Sequence, residues 1–131
     1  MRRNAVLLDA DVVIDYLRSR EPAIAYLEAE SRRLHLSTLT VAELYAGVRD
    51  GRERRTLDGF LEAFALVPLE PDDAVRGGLH RRDYFRSHGT GLVDACLAAQ
   101  AERLSAELVT LNGKHFPMLA GDAINVPYRK G

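Results

Sequence analysis

Ala5-Val6-Leu7-Leu8-Asp9-Ala10-Asp11-Val12-Val13-Ile14-Asp15 decides the fold. Its first four residues are apolar without alternation, the pattern of a strand buried on both faces. Asp9 then stands at the carboxyl end of that strand, and Val12 to Arg18 reads as a helix stopped near Glu21-Pro22. The same grammar repeats along the chain. Ala23 to Ser31 reads as a helix, Leu34 to Ser37 as a short strand, and Thr40 to Val48 as a helix weakened at Gly47. Glu53 to Ala65 is helical, with Leu57, Phe60, Leu61 and Phe64 at helical spacing. Leu66 to Leu69 is extended, and a helix capped by Asp72 runs to about His88, where Gly89 and Gly91 break it. Leu92 to Leu104 is a strong helix, Glu107 to Leu111 a strand, and Ile124 to Val126 a short edge strand. Strands alternating with helices define an α/β domain with a mostly parallel central sheet flanked by helices. Ligands of such sheets bind at the carboxyl ends of the strands, so polar residues there matter first.

The 131 residues are expected to form one domain, 1–131. A chain of this size buries about two-thirds of its unfolded surface, enough for one core. With 47% hydrophobic and 28% charged residues, disorder and collagen are excluded. Cys96 is the only cysteine, which excludes an internal disulfide framework and a multi-cysteine zinc site. No apolar run approaches ~20 residues, so no membrane span is expected. The amino terminus lacks the length and cleavage site of a signal peptide, and the expected compartment is the cytoplasm. The net charge of -1 is silent about nucleic acid. Of the 18 basic residues only Lys114 and Lys130 are lysine. Arginine grips phosphate with a fork that lysine lacks, although GC-rich coding is the plainer cause of the bias.

Four acidic or amide side chains stand where apolar residues would be expected or where strands end. Asp9 adjoins the apolar run itself, so a plain helix-capping role explains it less well than it explains Asp11 two residues on. Asn112 follows Leu108-Val109-Thr110-Leu111, and Asn112-Gly113 is also a turn pair. Asp94 lies in Leu92-Val93-Asp94-Ala95-Cys96-Leu97-Ala98-Ala99, apolar nearly all round, which predicts a central, buried carboxylate that needs compensation. Glu43 lies in Thr40-Val41-Ala42-Glu43, which is equally a capping box. In a parallel sheet, strand ends and first helical turns converge at one edge. Two carboxylates 4 Å apart repel by roughly 4 kcal/mol at an effective dielectric of 20, so three call for a cation. Oxygen-only donors suit Mg²⁺ or Mn²⁺.

Four stretches together resemble the motifs of PIN-domain nucleases. These are Leu7-Leu8-Asp9-Ala10-Asp11-Val12-Val13-Ile14-Asp15, Ser37 to Gly47, Gly91 to Ala99, and Leu108-Val109-Thr110-Leu111-Asn112-Gly113-Lys114-His115-Phe116. They occur in the family's order, and the subgroup they resemble is the VapC toxins of VapBC toxin–antitoxin pairs. The resemblance implies a metal-dependent endoribonuclease, homodimeric and inhibited by a VapB-like antitoxin. It assigns Asp9, Glu43 and Asp94 as metal-binding and catalytic carboxylates, with Asn112 as a neutral fourth member of the site. No Asp or Glu occurs between Glu107 and Asp122, and Asp11 is the candidate to restore the missing charge. Asp94 is the expected acceptor of the attacking water's proton, and the products would end in 5′-phosphate and 3′-hydroxyl. The apolar surface of the N-terminal helices is the expected dimer face.

The remaining polar groups carry weaker expectations. Arg76, Arg81, Arg82 and Arg86, with His80 and His88 between them, are candidate RNA phosphate contacts, as are Arg49, Arg52, Arg54 and Arg55. A solvated helix face explains either cluster as readily. Tyr84 and Phe85 read as packing before base stacking, His115 as structural, Phe116 as core, and Asp15 as a surface or supporting residue. Two rival functions remain. Asp9-Ala10-Asp11 after an apolar strand resembles the nucleophile motif of haloacid-dehalogenase-like phosphatases, but Val12-Val13 stands where Gly-Thr is usual. A non-cleaving PIN-like module that binds RNA or protein is the other.

Overall fold

The structure, a computed structural model, describes residues 2–129. Five parallel strands, β1 (Ala5–Leu8), β2 (Arg33–Ser37), β3 (Ala65–Val67), β4 (Glu107–Val109) and β5 (Ile124–Asn125), form a sheet in the order β3-β2-β1-β4-β5. Six helices flank it: α1 (Ala10–Leu17), α2 (Glu21–Ala29), α3 (Thr38–Ala46), α4 (Arg52–Leu61), α5 (Pro71–His88) and α6 (Leu92–Leu104). The expected α/β architecture is the one observed.

β1 is central, and Val6, Leu7 and Leu8 are wholly buried, as an unbroken apolar run requires. Its side chains divide two cores. Val6 and Leu8 pack with Val12, Val13, Leu36, Leu44, Leu57 and Val109, while Leu7 packs with Val67, Leu97, Ala98, Leu108 and Phe116. Helices α5 and α6 pair closely, because Gly77 lets α5 approach Cys96; a Cβ there would lie 2.6 Å from Sγ and 3.0 Å from Cα. Buried Gln100 donates to the carbonyls of Val67 and Pro68, tying α6 to the end of β3.

Element ends differ from the sequence expectations for local reasons. α1 starts at Ala10, not Val12, since Asp9 caps it through a 2.8 Å bond from the Ala10 N–H. Glu21-Pro22 opens α2 instead of closing α1, with proline in the first turn, where its missing N–H is harmless. α3 is capped by Ser37, so the Thr40–Glu43 capping box does not form. α4 ends at Leu61, because Ala65 pairs with His35 and enters the sheet, and Pro68 then ends β3. α5 is capped by Glu70 in a reciprocal box with Asp73, displacing Asp72 from the expected role. β4 stops at Val109, because the Leu111 N–H turns away to Asp11. Large exposed apolar side chains lie at Leu66, Leu69, Val75, Leu79, Phe85, Leu92 and Val126.

Candidate active site

The carboxyl ends of β1 and β4 meet side by side, with Leu8 paired to Val109. The residues just beyond them form a hydrogen-bonded knot. Asp9 is 8% exposed; one oxygen accepts from the Ala10 N–H and the other from the Thr110 hydroxyl, each at 2.8 Å. Capping and site-building thus share one carboxylate. Asp11 accepts from the Val12 N–H at 2.8 Å with Oδ1. Its Oδ2 accepts from the Leu111 N–H at 2.9 Å and from Asn112 Nδ2 at 3.3 Å. Thr110 is fully buried and also accepts the Asn112 N–H at 3.1 Å. Asn112 is therefore held at the rim by Asp11.

Glu43 comes from α3 and Asp94 from the first turn of α6. Glu43 is an exposed residue free of the expected capping role. The Asp94 side chain is 26% exposed, contrary to the buried position expected from its neighbours, because full burial of α6 begins at Ala95. One Asp94 oxygen lies 3.2 Å from His115 Nδ1.

Electrostatics join these groups. Burial, then repulsion from Asp11 and Asp94, pushes the Asp9 carboxyl up to about 7, against the lowering effect of its hydrogen bonds. Although the Glu43 residue is exposed overall, its carboxyl is also raised, by local loss of solvent and then by repulsion from Asp94 and Asp11. The structure thus brings Asp9, Asp11, Glu43 and Asp94 into one field of mutual repulsion, with Asn112 at its edge. Thr40, one turn before Glu43, keeps a fully buried hydroxyl without a hydrogen-bond partner among the described residues. As the side chains stand, no three described His, Cys, Asp or Glu residues are grouped to hold an ion. The donor chemistry nevertheless fits a hard divalent cation: all the candidate ligands are oxygens, and a cation would relieve both the repulsion and the disfavoured charge on Asp9.

Sequence reasoning missed two partners. Asp15 is 2% exposed and accepts the Tyr128 hydroxyl at 2.9 Å, so it is not a surface residue. Its position four residues after Asp11, on one helical face, was the available signal. His115 contacts Asp94, a pairing that no local pattern marks. Arg76 and His80, candidate phosphate contacts or part of a solvated helix face, both engage Glu102 at 3.0 and 2.8 Å. Arg81 lies over the Phe85 ring at 3.7 Å from its centroid, and Phe85 is exposed instead of packed. Phe116 is core, as expected.

Beside Glu43, α1, α3 and α4 enclose a groove of about 910 Å³. Its walls include Ile14, Leu17, Leu44, Val48 and Leu57, and Arg18, Arg49 and Arg52 also line it.

An all-parallel sheet with carboxylates gathered at its carboxyl edge defines the class, and residues 6–121 match the PIN domain family. The chain belongs to that family. It is similar to Ribonuclease VapC19 of Mycobacterium tuberculosis, 39% identical over 117 residues, which covers 86% of this chain and 92% of the relative. Ribonuclease VapC10 of the same organism is 38% identical over 116 residues, 86% of each chain. Among solved structures, a chain of a toxin–antitoxin complex from Klebsiella pneumoniae superposes with a TM-score of 0.82 at 26% identity, covering 95% of this chain and 99% of that one. The family match places Asp9-Ala10-Asp11 in the opening of a PIN domain, which leaves the phosphatase alternative without support.

Proposed function

We propose that this chain is a metal-dependent endoribonuclease, the toxin of a toxin–antitoxin pair, that hydrolyses RNA phosphodiester bonds. One observation carries the site: four carboxylates from β1, α1, α3 and α6 share one edge of the sheet, and one of them is pushed up to about 7 for want of a counter-charge. Asp9, Glu43 and Asp94 would hold Mg²⁺ or Mn²⁺. When bound, the ion supplies positive charge for the scissile phosphate and makes water a better nucleophile. Asp94 orients the attacking water and takes its proton. Asp11 and Asn112 hold the end of β4 against Asp9, through Thr110, and keep that carboxylate from turning.

The relatives' ribonuclease names and the toxin–antitoxin neighbour support RNA as substrate and a VapB-like antitoxin as partner. The groove beside Glu43 suits an amphipathic antitoxin segment: its apolar face meets Leu17, Leu44 and Leu57, and an arginine reaches the carboxylates. A homodimer in the cytoplasm completes the proposal; no described helix is long and apolar enough to cross a membrane. Light scattering on the purified chain tests the dimer, and a monomeric mass removes it.

The deciding experiment incubates total cellular RNA with the purified chain in Mg²⁺, Mn²⁺ or EDTA, with Asp94→Asn alongside. Discrete fragments with 5′-phosphate ends, formed only with metal and only by the unsubstituted chain, are expected. RNA retained but uncut under every metal condition favours the non-cleaving binding module instead.

A further inference from the structure

We propose that His115 is a positioning residue that holds Asp94 for the divalent cation. The inference rests on the metal-site proposal above and adds a residue outside its ligand set. His115 ends a 3-10 turn (Gly113–His115) that follows β4, whereas Asp94 belongs to α6. The imidazole bridges them, with Nδ1 3.2 Å from Asp94 Oδ2.

The histidine is itself held from three sides. Its N–H donates to the Asn112 carbonyl at 3.0 Å, closing the turn. Its carbonyl accepts the hydroxyl of fully buried Thr90 at 2.7 Å. The next residue, Phe116, is buried in the core formed with Leu97 and Leu108. The far edge of the ring meets the end of α5: a Cβ on Gly89 would lie 3.7 Å from Nε2 and 3.8 Å from Cδ2. Gly89 has a left-handed φ of 69°, which brings the chain round to Thr90. A solvated surface histidine needs none of this support.

Nδ1 lies at ion-pair distance from one Asp94 oxygen, Oδ2. Groups that orient a ligating carboxylate typically contribute about 10–100-fold to metal affinity. The turn carrying His115 also begins at Asn112, so one short segment supports both Asp11 and Asp94.

The test is Mn²⁺ titration of the full chain by calorimetry, with no RNA present. The unsubstituted chain, Asp94→Asn, His115→Leu, His115→Asn and His115→Gln are compared, and thermal unfolding in EDTA verifies the fold of each. His115→Leu is expected to weaken Mn²⁺ binding about 10–100-fold. His115→Asn carries an N–H at nearly the place of Nδ1 and should regain most of that loss, whereas His115→Gln, one bond longer, should not. On RNA, kcat should fall in His115→Leu with KM little changed. Equal Mn²⁺ affinity in His115→Leu and the unsubstituted chain overturns the inference. Equal affinity of the Asn and Gln variants also overturns it, and decides the matter if the Leu variant does not fold. Asp94→Asn binding Mn²⁺ as well as the unsubstituted chain instead removes the metal-site proposal itself.

Discussion

Asp9 is held where its charge is unwelcome. It caps α1 and accepts the Thr110 hydroxyl, yet burial and two neighbouring carboxylates lift its carboxyl from 3.8 to about 7. In the metal-free protein the folded state therefore keeps a proton that the unfolded chain releases. The resulting stability is fully present below about pH 4 and is lost as pH rises toward 7. Asp9→Asn removes the charge, keeps one oxygen to accept the Ala10 N–H, and presents an N–H to the Thr110 hydroxyl, which must then accept instead of donate. It is expected to stabilise the metal-free protein at pH 8 by about 1–3 kcal/mol, with no gain at pH 4, while abolishing metal-dependent cleavage. Urea unfolding in EDTA at the two pH values checks this; an Asn variant less stable at pH 8 counts against it. Asp9 was legible in the sequence because an acid adjoining an unbroken apolar run has few structural excuses. Asp94 was legible as an acid in a first helical turn, whereas Glu43, expected in one, lies in the second turn because α3 starts at Thr38; the convergence of the two was not legible. The His115–Asp94 and Tyr128–Asp15 contacts were invisible, because each joins residues whose separation along the chain only the finished fold closes.

At the scale of elements, periodicity located the helices and left their ends open. The face of α4 bearing Leu57, Phe60 and Leu61 packs on the core as its spacing requires, and Phe64 joins it from beyond the helix end. Where that helix stops depends on β2 capturing Ala65, a tertiary event. The adjacent glycines of α5 show the same division between local preference and packing. Gly77 is buried against Cys96, whereas Gly78 faces open space. Gly77→Ala must push α5 from α6 and is expected to cost about 1–3 kcal/mol. Gly78→Ala meets nothing and should stabilise by about 0.5–1 kcal/mol through helix propensity alone. Chemical denaturation of the two single variants measures both, and the same sign for both overturns this account of the helix pair.

Across the whole molecule, the parallel sheet separates stability from chemistry by polarity. The amino-terminal ends of β2 and β4 are clamped by Arg32, which binds Glu30 at 2.8 Å, Glu107 at 2.9 Å and the Arg3 carbonyl at 3.1 Å. Arg32 holds the Glu30 carboxyl at about 2, so this clamp is intact above about pH 4.5 and weakens as pH falls toward 2. Arg32→Met removes the nearest partner of two poorly exposed carboxylates and leaves them Arg2 at 3.8 and 3.9 Å; it is expected to cost about 2–4 kcal/mol, with Mn²⁺ affinity of the folded protein unchanged.

The opposite end obeys the reverse pH sense. A cation at the carboxyl edge must displace the proton that Asp9 retains up to about pH 7, so ion binding tightens as pH rises and levels off above that value. Ligand linkage converts this affinity into stability, about 2.7 kcal/mol when Mn²⁺ is present at 100 times its Kd. Thermal unfolding with Mn²⁺ and with EDTA should therefore diverge at pH 8 and converge near pH 5. Asp9→Asn should remove the divergence, whereas Arg32→Met should lower both curves without closing the gap. Coincident curves at pH 8 for the unsubstituted chain mean that the carboxylates bind no cation. The chain would then have a PIN fold without the charge balance that hydrolysis requires.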